Sequence, residues 1–260
     1  MSRFLSDILA RKAVEVAERR AALPDAALEA RLAAAPAPRD LAGALSARGG
    51  PLRVIAEVKR ASPSAGAIDA GLDAVAQARR YEAAGAAAVS VLTDGPGFGG
   101  SLADLVAVRA AVGVPVLRKD FVIDRYQLLE ARAAGADAAL LIVAALDDAA
   151  LRRLHADCAA LGLAALVEVH DAAEVDRALA AGAALVGVNN RDLRSFHVDL
   201  AVSERLLPAL PAHVKGVAES GVRTAADARR LRAAGAANLL VGEALVRAAD
   251  PGALLREMAG

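Results

Sequence analysis

Four segments of this 260-residue chain repeat one design. They are YEAAGAAAVSVLT from Tyr81, EARAAGADAALLIV from Glu130, ALAAGAALVGVNN from Ala178 and LRAAGAANLLVGEAL from Leu231. Each runs from an alanine-rich helical stretch through Ala-Gly-Ala into an apolar run. The glycines are Gly85, Gly135, Gly182 and Gly235. A glycine just past a helix is the usual left-handed C-terminal cap. Strand-like residues follow at once, so each segment reads as a helix-to-strand joint. Few folds accommodate four such joints in series.

The glycines stand 50, 47 and 53 residues apart. One strand–helix unit takes about half of that, so a further strand is expected inside each gap. VPVLRKDF (114–121), AALVEVH (164–170) and VKGVAES (214–220) supply them. VIAEVK (54–59) precedes the first joint and makes eight. Strand starts are expected near 53, 87, 114, 138, 164, 185, 215 and 238. Eight alternating units predict an α/β fold, a (β/α)8 TIM barrel. An open doubly wound sheet is the alternative, but RASPSAG (60–66) lacks the G-x-G-x-x-G fingerprint. GPGFGG (95–100) follows the second strand without a phosphate-cradling helix pattern, and reads as a flexible loop. Residues 1–50 form an N-terminal helical extension with Phe4, Leu5, Ile8 and Leu9 on one apolar face. PAPRD (36–40) interrupts it before the barrel, and the whole of 1–260 reads as one domain.

Composition narrows the function. Acids and bases balance at 31 each, which argues against nucleic acid as a partner. The single cysteine, Cys158, excludes an internal disulfide and fits a reducing, cytoplasmic setting. The N-terminus is charged throughout, so neither a signal peptide nor a membrane span is expected. The cations carry a sharper clue. Only Lys12, Lys59, Lys119 and Lys215 are lysine; the other 27 are arginine. Lysine can act as a proton donor near neutral pH and arginine cannot. A lysine kept inside an apolar strand therefore calls for a chemical reason.

Side chains two apart on a strand share a face. Glu57 and Lys59 therefore point together at the end of the first strand. Lys119 ends the third strand with Phe121 on its face, and Glu168 ends the fifth. Asn189 and Arg191 end the sixth, and Glu219 and Ser220 the seventh. In this fold the carboxyl ends of the strands host the chemistry. Glu57, Lys59, Lys119, Glu168, Arg191 and Glu219 would form a charge-balanced ring there, each ion with partners that offset its desolvation. A structural ion network is the alternative reading. In such a crowded, partly cationic mouth the pKa of Lys119 is expected to be lowered. Gly221 and Gly242, after the seventh and eighth strands, mark the loops where barrels of this kind often bind phosphate. The four histidines show no metal-ligand spacing. His170 alone lies near the rim, where a loop hydrogen bond is the plain reading. Cys158 reads as helix packing.

These blocks together resemble a known family. AEVKRASPSAG, SVLTD with FGGS, VLRKDFVIDRYQLLEARAAGADAALLI, LVEVH, VGVNNRDL and VAESGV are similar, in this order, to indole-3-glycerol phosphate synthases. The resemblance implies a barrel enzyme of tryptophan biosynthesis with no cofactor or metal and a small-molecule substrate, 1-(2-carboxyphenylamino)-1-deoxyribulose 5-phosphate. A monomer is expected, with no membrane partner. By the resemblance Lys119 is the general acid of ring closure and Glu168 the general base of the later dehydration. Glu57 and Lys59 position substrate and assist proton transfer. Ser62, Phe98, Phe121, Asn189, Arg191, Leu193, Glu219 and Ser220 match substrate-contacting positions. Gly221, Gly242 and Glu243 match the phosphate-binding loops. Glu243 stands where some members carry serine, so its side chain is expected to turn away from the anion. The GPGFGGS loop is also richer in glycine than the family pattern. Two rivals remain at this point. One is an isomerase of the phosphoribosylanthranilate type, which would need a cysteine–aspartate pair. The other is a barrel that only binds a phosphometabolite.

Overall fold

Eight parallel strands close into a barrel, each beside its neighbours in sequence, with the last pairing the first. In the computed structural model, residues 3–63 and 66–260 are described. Met1 and Ser2, and Ser64 and Ala65 of the RASPSAG stretch, lie outside the described residues. The strands are β1 (Arg53–Val58), β2 (Ala88–Leu92), β3 (Val116–Lys119), β4 (Ala138–Ile142), β5 (Ala164–Val169), β6 (Leu185–Asn189), β7 (Lys215–Glu219) and β8 (Asn238–Val241). Closure runs from Arg53 opposite Asn238 to Ala56 opposite Val241. β3 starts two residues later than its apolar run suggests, because Pro115 has no N–H to give the ladder; its carbonyl still accepts from Val89 N at 2.9 Å.

Three helices precede the barrel: α1 (Arg3–Ala22), α2 (Asp25–Leu32) and α3 (Leu41–Ala44). Between strands run α4 (Ala74–Ala83), α5 (Leu102–Ala111), α6 (Arg125–Ala133), α7 (Asp148–Ala160), α8 (Ala172–Ala180), α9 (Ala201–Leu206) and α10 (Ala225–Ala233). α11 (Glu243–Arg247) and α12 (Pro251–Ala259) follow β8. Ala61–Ser62 and Gly66–Ala67 pair as a small antiparallel hairpin after β1. Side-chain caps start most of the inter-strand helices: Asp73, Ser101, Asp124, Asp147, Asp171 and Thr224 each accept from a first-turn N–H. The four joint glycines end their helices as expected, with φ between 85° and 97°. In each joint the following alanine donates to the carbonyl five residues back, at 2.9–3.1 Å.

Two apolar layers result. The outer one packs residues such as Val54, Val89, Val116 and Val186 against the helices. The inner one fills the barrel with Ile55, Ala88, Leu117, Leu140, Leu166, Leu185, Val217 and Leu240. Leu41 and Leu45 belong to this inner cluster, so the segment around α3 stoppers the amino-terminal end of the barrel. Lys215 fastens the stopper by donating to Ala42 O at 2.5 Å and Leu45 O at 2.8 Å. Asn238 adds bonds to Ser46 N and O, at 2.9 and 3.0 Å. With this end filled, the carboxyl end is the one left open. Ile55, Leu117, Leu166 and Val217 come from the odd strands and form one packed layer. Two residues further along the same strands stand Glu57, Lys119, Glu168 and Glu219. The chemistry-bearing side chains are thus the next layer of the same stacking.

Candidate active site

The open end holds a cavity of about 630 Å³, a size suited to a metabolite. Every residue singled out above for catalysis, substrate or phosphate lies on its wall. From β1 and its loop come Glu57, Lys59 and Ser62; from the β2 and β3 ends, Phe98, Lys119 and Phe121; from β5, Glu168. Asn189, Arg191 and Leu193 extend from β6, Glu219, Ser220 and Gly221 from β7, and Gly242 and Glu243 from β8.

Lys119 is the hub. Its Nζ stands 3.3 Å from Glu168 Oε2 and 3.6 Å from Glu219 Oε2. Lys59 Nζ pairs with Glu57 Oε1 at 2.5 Å. Glu57, Glu168 and Glu219 are all buried. Burial works against the Lys119 ammonium, but Glu168, Glu219 and Glu57 outweigh it and raise its pKa above the ordinary lysine value. This overturns the expected lowering. The physical reason is that the hub of the ring faces three acids, while Lys59 is spent on Glu57. Arg191 hydrogen-bonds Phe196 O at 3.3 Å, further along its own loop.

The two central acids differ. Burial favours the neutral form of both. For Glu168 the nearby Lys119 and His170 charges and a bond from Asn189 win, and its pKa is lowered. Glu219 has burial plus repulsion from Glu168 and Glu57 against Lys119 alone, and is pushed up to about 8. Its Oε1 is buried without a hydrogen-bond partner. Of the two, Glu219 is the one that burial and its acidic neighbours push toward the protonated form.

Two glycines make room for these carboxyls. A Cβ at Gly187 on β6 would overlap Glu219 Oε1, and one at Gly242 would overlap Glu57 Oε1. Gly242 thus shapes the acid cluster, a role its loop position alone did not disclose. Ser220, at φ 62°, is one of two non-glycine residues in the left-handed region among the described residues, and Gly221 follows at φ 84°. Such strain gathers at functional loops. The Glu243 carboxylate turns along its helix to Arg247 Nε, 3.1 Å away.

Sequence reasoning missed part of the wall. Phe4 of α1 and Phe196 line it too, with ring centroids 4.9 Å apart and edge-on. Phe98 and Phe121 are 5.9 Å apart. All four phenylalanines of the chain therefore face one cavity, and their scarcity was the signal available. Behind β3 lies a second missed feature. Arg118, Asp120, Asp94 and Lys12 are buried together on the helix side of the barrel. Lys12 Nζ meets Asp120 Oδ1 at 3.0 Å and Glu15 Oε2 at 2.9 Å, and also binds Asp94. Arg118 and Thr93 hold Asp120 Oδ2 at 2.9 and 2.6 Å.

Cys158 is buried in α7, off the cavity wall, with its thiol pushed up to about 12 by burial. It supplies no half of a cysteine–aspartate pair. Among the described residues no group of three His, Cys, Asp or Glu is placed to hold a metal ion, and no helix is long and apolar enough to cross a membrane.

Comparison with known proteins agrees with this geometry. The family described as "Indole-3-glycerol phosphate synthase" matches residues 5–258. A relative of that name from Nocardioides sp. is 52% identical over 256 residues, covering 98% of each chain. "Indole-3-glycerol phosphate synthase 2" of Streptomyces coelicolor is 52% identical over 260 residues and covers 100% of both chains. The Opitutus terrae protein is 50% identical over 258 residues, covering 97% of each. A crystal structure of 3-hexulose-6-phosphate synthase superposes with a TM-score of 0.59 at 21% identity, covering 81% of this chain and 98% of that one; that likeness concerns the fold alone. The chain belongs to the indole-3-glycerol phosphate synthase family.

Proposed function

We propose that the layer formed by Glu57, Lys119, Glu168 and Glu219 carries the family's reaction in this chain. The family is one of decarboxylating lyases in tryptophan biosynthesis. Ring closure needs a proton on the substrate carbonyl as the new carbon–carbon bond forms. Lys119 is the donor in this reading. Its raised pKa keeps it loaded at any working pH, and the proton on Glu219 tempers the acids that oppose its release. Loss of carbon dioxide is favoured as the substrate carboxylate leaves water for a preorganised site. Glu168, held ionised, is the base of the dehydration. Glu57 and Lys59 position the sugar hydroxyls and shuttle protons. Phe98 and Phe121 flank the anthranilate ring, with Ser62 and Leu193 beside it. Asn189, Arg191 and Ser220 contact the sugar, and the backbone at Gly221, Gly242 and Glu243 receives the phosphate.

The observation that carries this reading is the placement of one lysine between two buried glutamates in the cavity wall. We read residues 1–260 as one domain acting as a monomer. In support, the segment before the barrel contributes Phe4 to the cavity wall. Among the described residues the exposed large apolar side chains are Val14 and Val106, on two different helices.

The test is an indole-fluorescence time course with the carboxyphenylamino-deoxyribulose phosphate. Lys119→Ala is expected to turn over about 100-fold more slowly or worse while keeping its fold. Near-parental turnover in that variant would remove Lys119 from the mechanism.

A further inference from the structure

His170 stands two residues beyond Glu168, just past the end of β5, and does not line the cavity. Both its backbone N–H and its ring Nδ1 meet Glu174 Oε2, at 2.8 and 3.0 Å. The other ring nitrogen, Nε2, is buried and lacks a hydrogen-bond partner. It lies 3.6 Å from Glu168 Oε1. Lys119 holds the opposite oxygen, Oε2, at 3.3 Å. The carboxylate of Glu168 thus has a lysine on one oxygen and an imidazole on the other.

The ring's protonation follows from what faces it. A neutral imidazole has one N–H and one lone pair, and a carboxylate only accepts. Here a carboxylate oxygen faces each nitrogen. A neutral ring would turn a lone pair on one of them, whereas a ring with both N–H groups donates to Glu174 and sets its positive charge beside Glu168 Oε1. The groups acting on the ring are Glu168 from β5, Glu174 from α8 and Asp192 beyond β6, with Glu219 from β7 adding charge only as it loses its proton. All four are acids. Burial disfavours the imidazolium, but these acids outweigh it and raise the histidine pKa.

We propose that His170, anchored on Glu174, is a positioning residue for Glu168: it presents Nε2–H to Oε1 and holds the carboxylate ionised and in place against Lys119. The inference rests on the reading of Glu168 as the base. The arrangement follows the logic by which a buried acid orients a histidine in hydrolytic triads, with the order of acting and orienting groups reversed. It touches no substrate and acts only through Glu168.

The experiment is a pair of pH profiles of kcat/KM and kcat, for the parent and for His170→Asn. Without the imidazolium, Glu168 protonates more easily. The acid limb of kcat/KM is expected to move up by about one pH unit, and kcat at neutral pH to fall about tenfold. Glu174→Gln keeps a hydrogen-bond acceptor but removes its charge, so its acid limb should move in the same direction by less. A His170→Asn profile that superimposes on the parent's overturns the proposal. Nitrogen NMR of the histidine rings in the parent protein gives a check independent of turnover and of how any variant folds. Both nitrogens of His170 protonated at pH 7 supports the proposal, and a single N–H overturns it. Glu168→Gln separates the two levels. Parental turnover there would defeat the reading of Glu168, whereas its loss beside an unaltered His170→Asn would defeat only the role of His170.

Discussion

At the scale of single residues the lysines repay attention. None of the four is freely exposed. Lys12 is buried among acids, Lys59 and Lys119 stand in the cavity wall, and Lys215 binds two carbonyls at the barrel floor. An ammonium is a compact point charge with three donors, which suits sites ringed by several acceptors. Their rarity was therefore a sound pointer to the mouth, though two of the four serve structure. Glu219 bears a testable consequence of burial. Its pKa is raised from 4.5 to about 8. Between those pH values the unfolded chain releases the proton while the folded chain keeps it. The stabilising contribution is thus complete below pH 4.5 and lost as pH rises through 8. Glu219→Gln carries no such proton. Relative to the parent it should gain on the order of 2–4 kcal/mol between pH 5 and pH 8, at the expense of turnover. Denaturant melts at the two pH values measure this; an equal difference at both would place Glu219 as an ordinary ionised acid. None of this was legible in the sequence, where Glu219 looked like one more rim acid. Its protonation depends on Glu57 and Glu168 approaching from strands distant along the chain.

At the scale of elements, α1 does more than lay an apolar face on the barrel. That face was legible from Phe4, Leu5 and Ile8. The ion cluster on the same helix was not, because Asp94 and Asp120 lie 82 and 108 positions from Lys12 along the chain. The pairing of β2 with β3, Leu92 opposite Lys119, brings their ends side by side beneath the helix. Asp120 follows Lys119 directly and accepts from Phe121 N at 2.8 Å. Asp94 opens the loop that carries Phe98. One ammonium thus ties the extension to the two loops that deliver the hub lysine and the aromatic pair. Removing it takes a shared cation from two buried carboxylates, leaving Asp94 to Arg11 and Asp120 to Arg118 and Thr93, and losing part of a buried ion network is costly. Lys12→Met should lose about 1.5–3 kcal/mol of stability, the scale of a charged hydrogen bond, and adding Asp94→Asn should restore part of it. Urea melts of the single and double variants check this. A double variant no more stable than the single would mean the cluster is not coupled through Lys12.

For the whole molecule, the barrel divides its tasks between its ends. The eightfold alternation was legible to within two residues at every strand start, because glycine caps and apolar runs are local signals. The positions of the wall residues followed, since two-residue periodicity fixes which side chains face inward. The stopper at the far end was not legible, as LAGAL (41–45) carries no signal for what it meets. Leu41 is wholly buried in the inner cluster with Ile55, Leu117 and Leu140. The stacked layers separate it from the charged ring. Leu41→Ala should therefore cost about 2–5 kcal/mol through lost burial and the cavity left behind. Its kcat and KM, measured well below its melting temperature, should stay within about twofold of the parent's, since packing defects relax locally. Lys119→Ala should show the converse weighting, a collapsed rate in a protein that still folds. Calorimetry and the fluorescence assay on both variants decide the matter. If Leu41→Ala lowered kcat in step with stability, the two ends would be one cooperative unit, and the layers between them would transmit strain rather than isolate it.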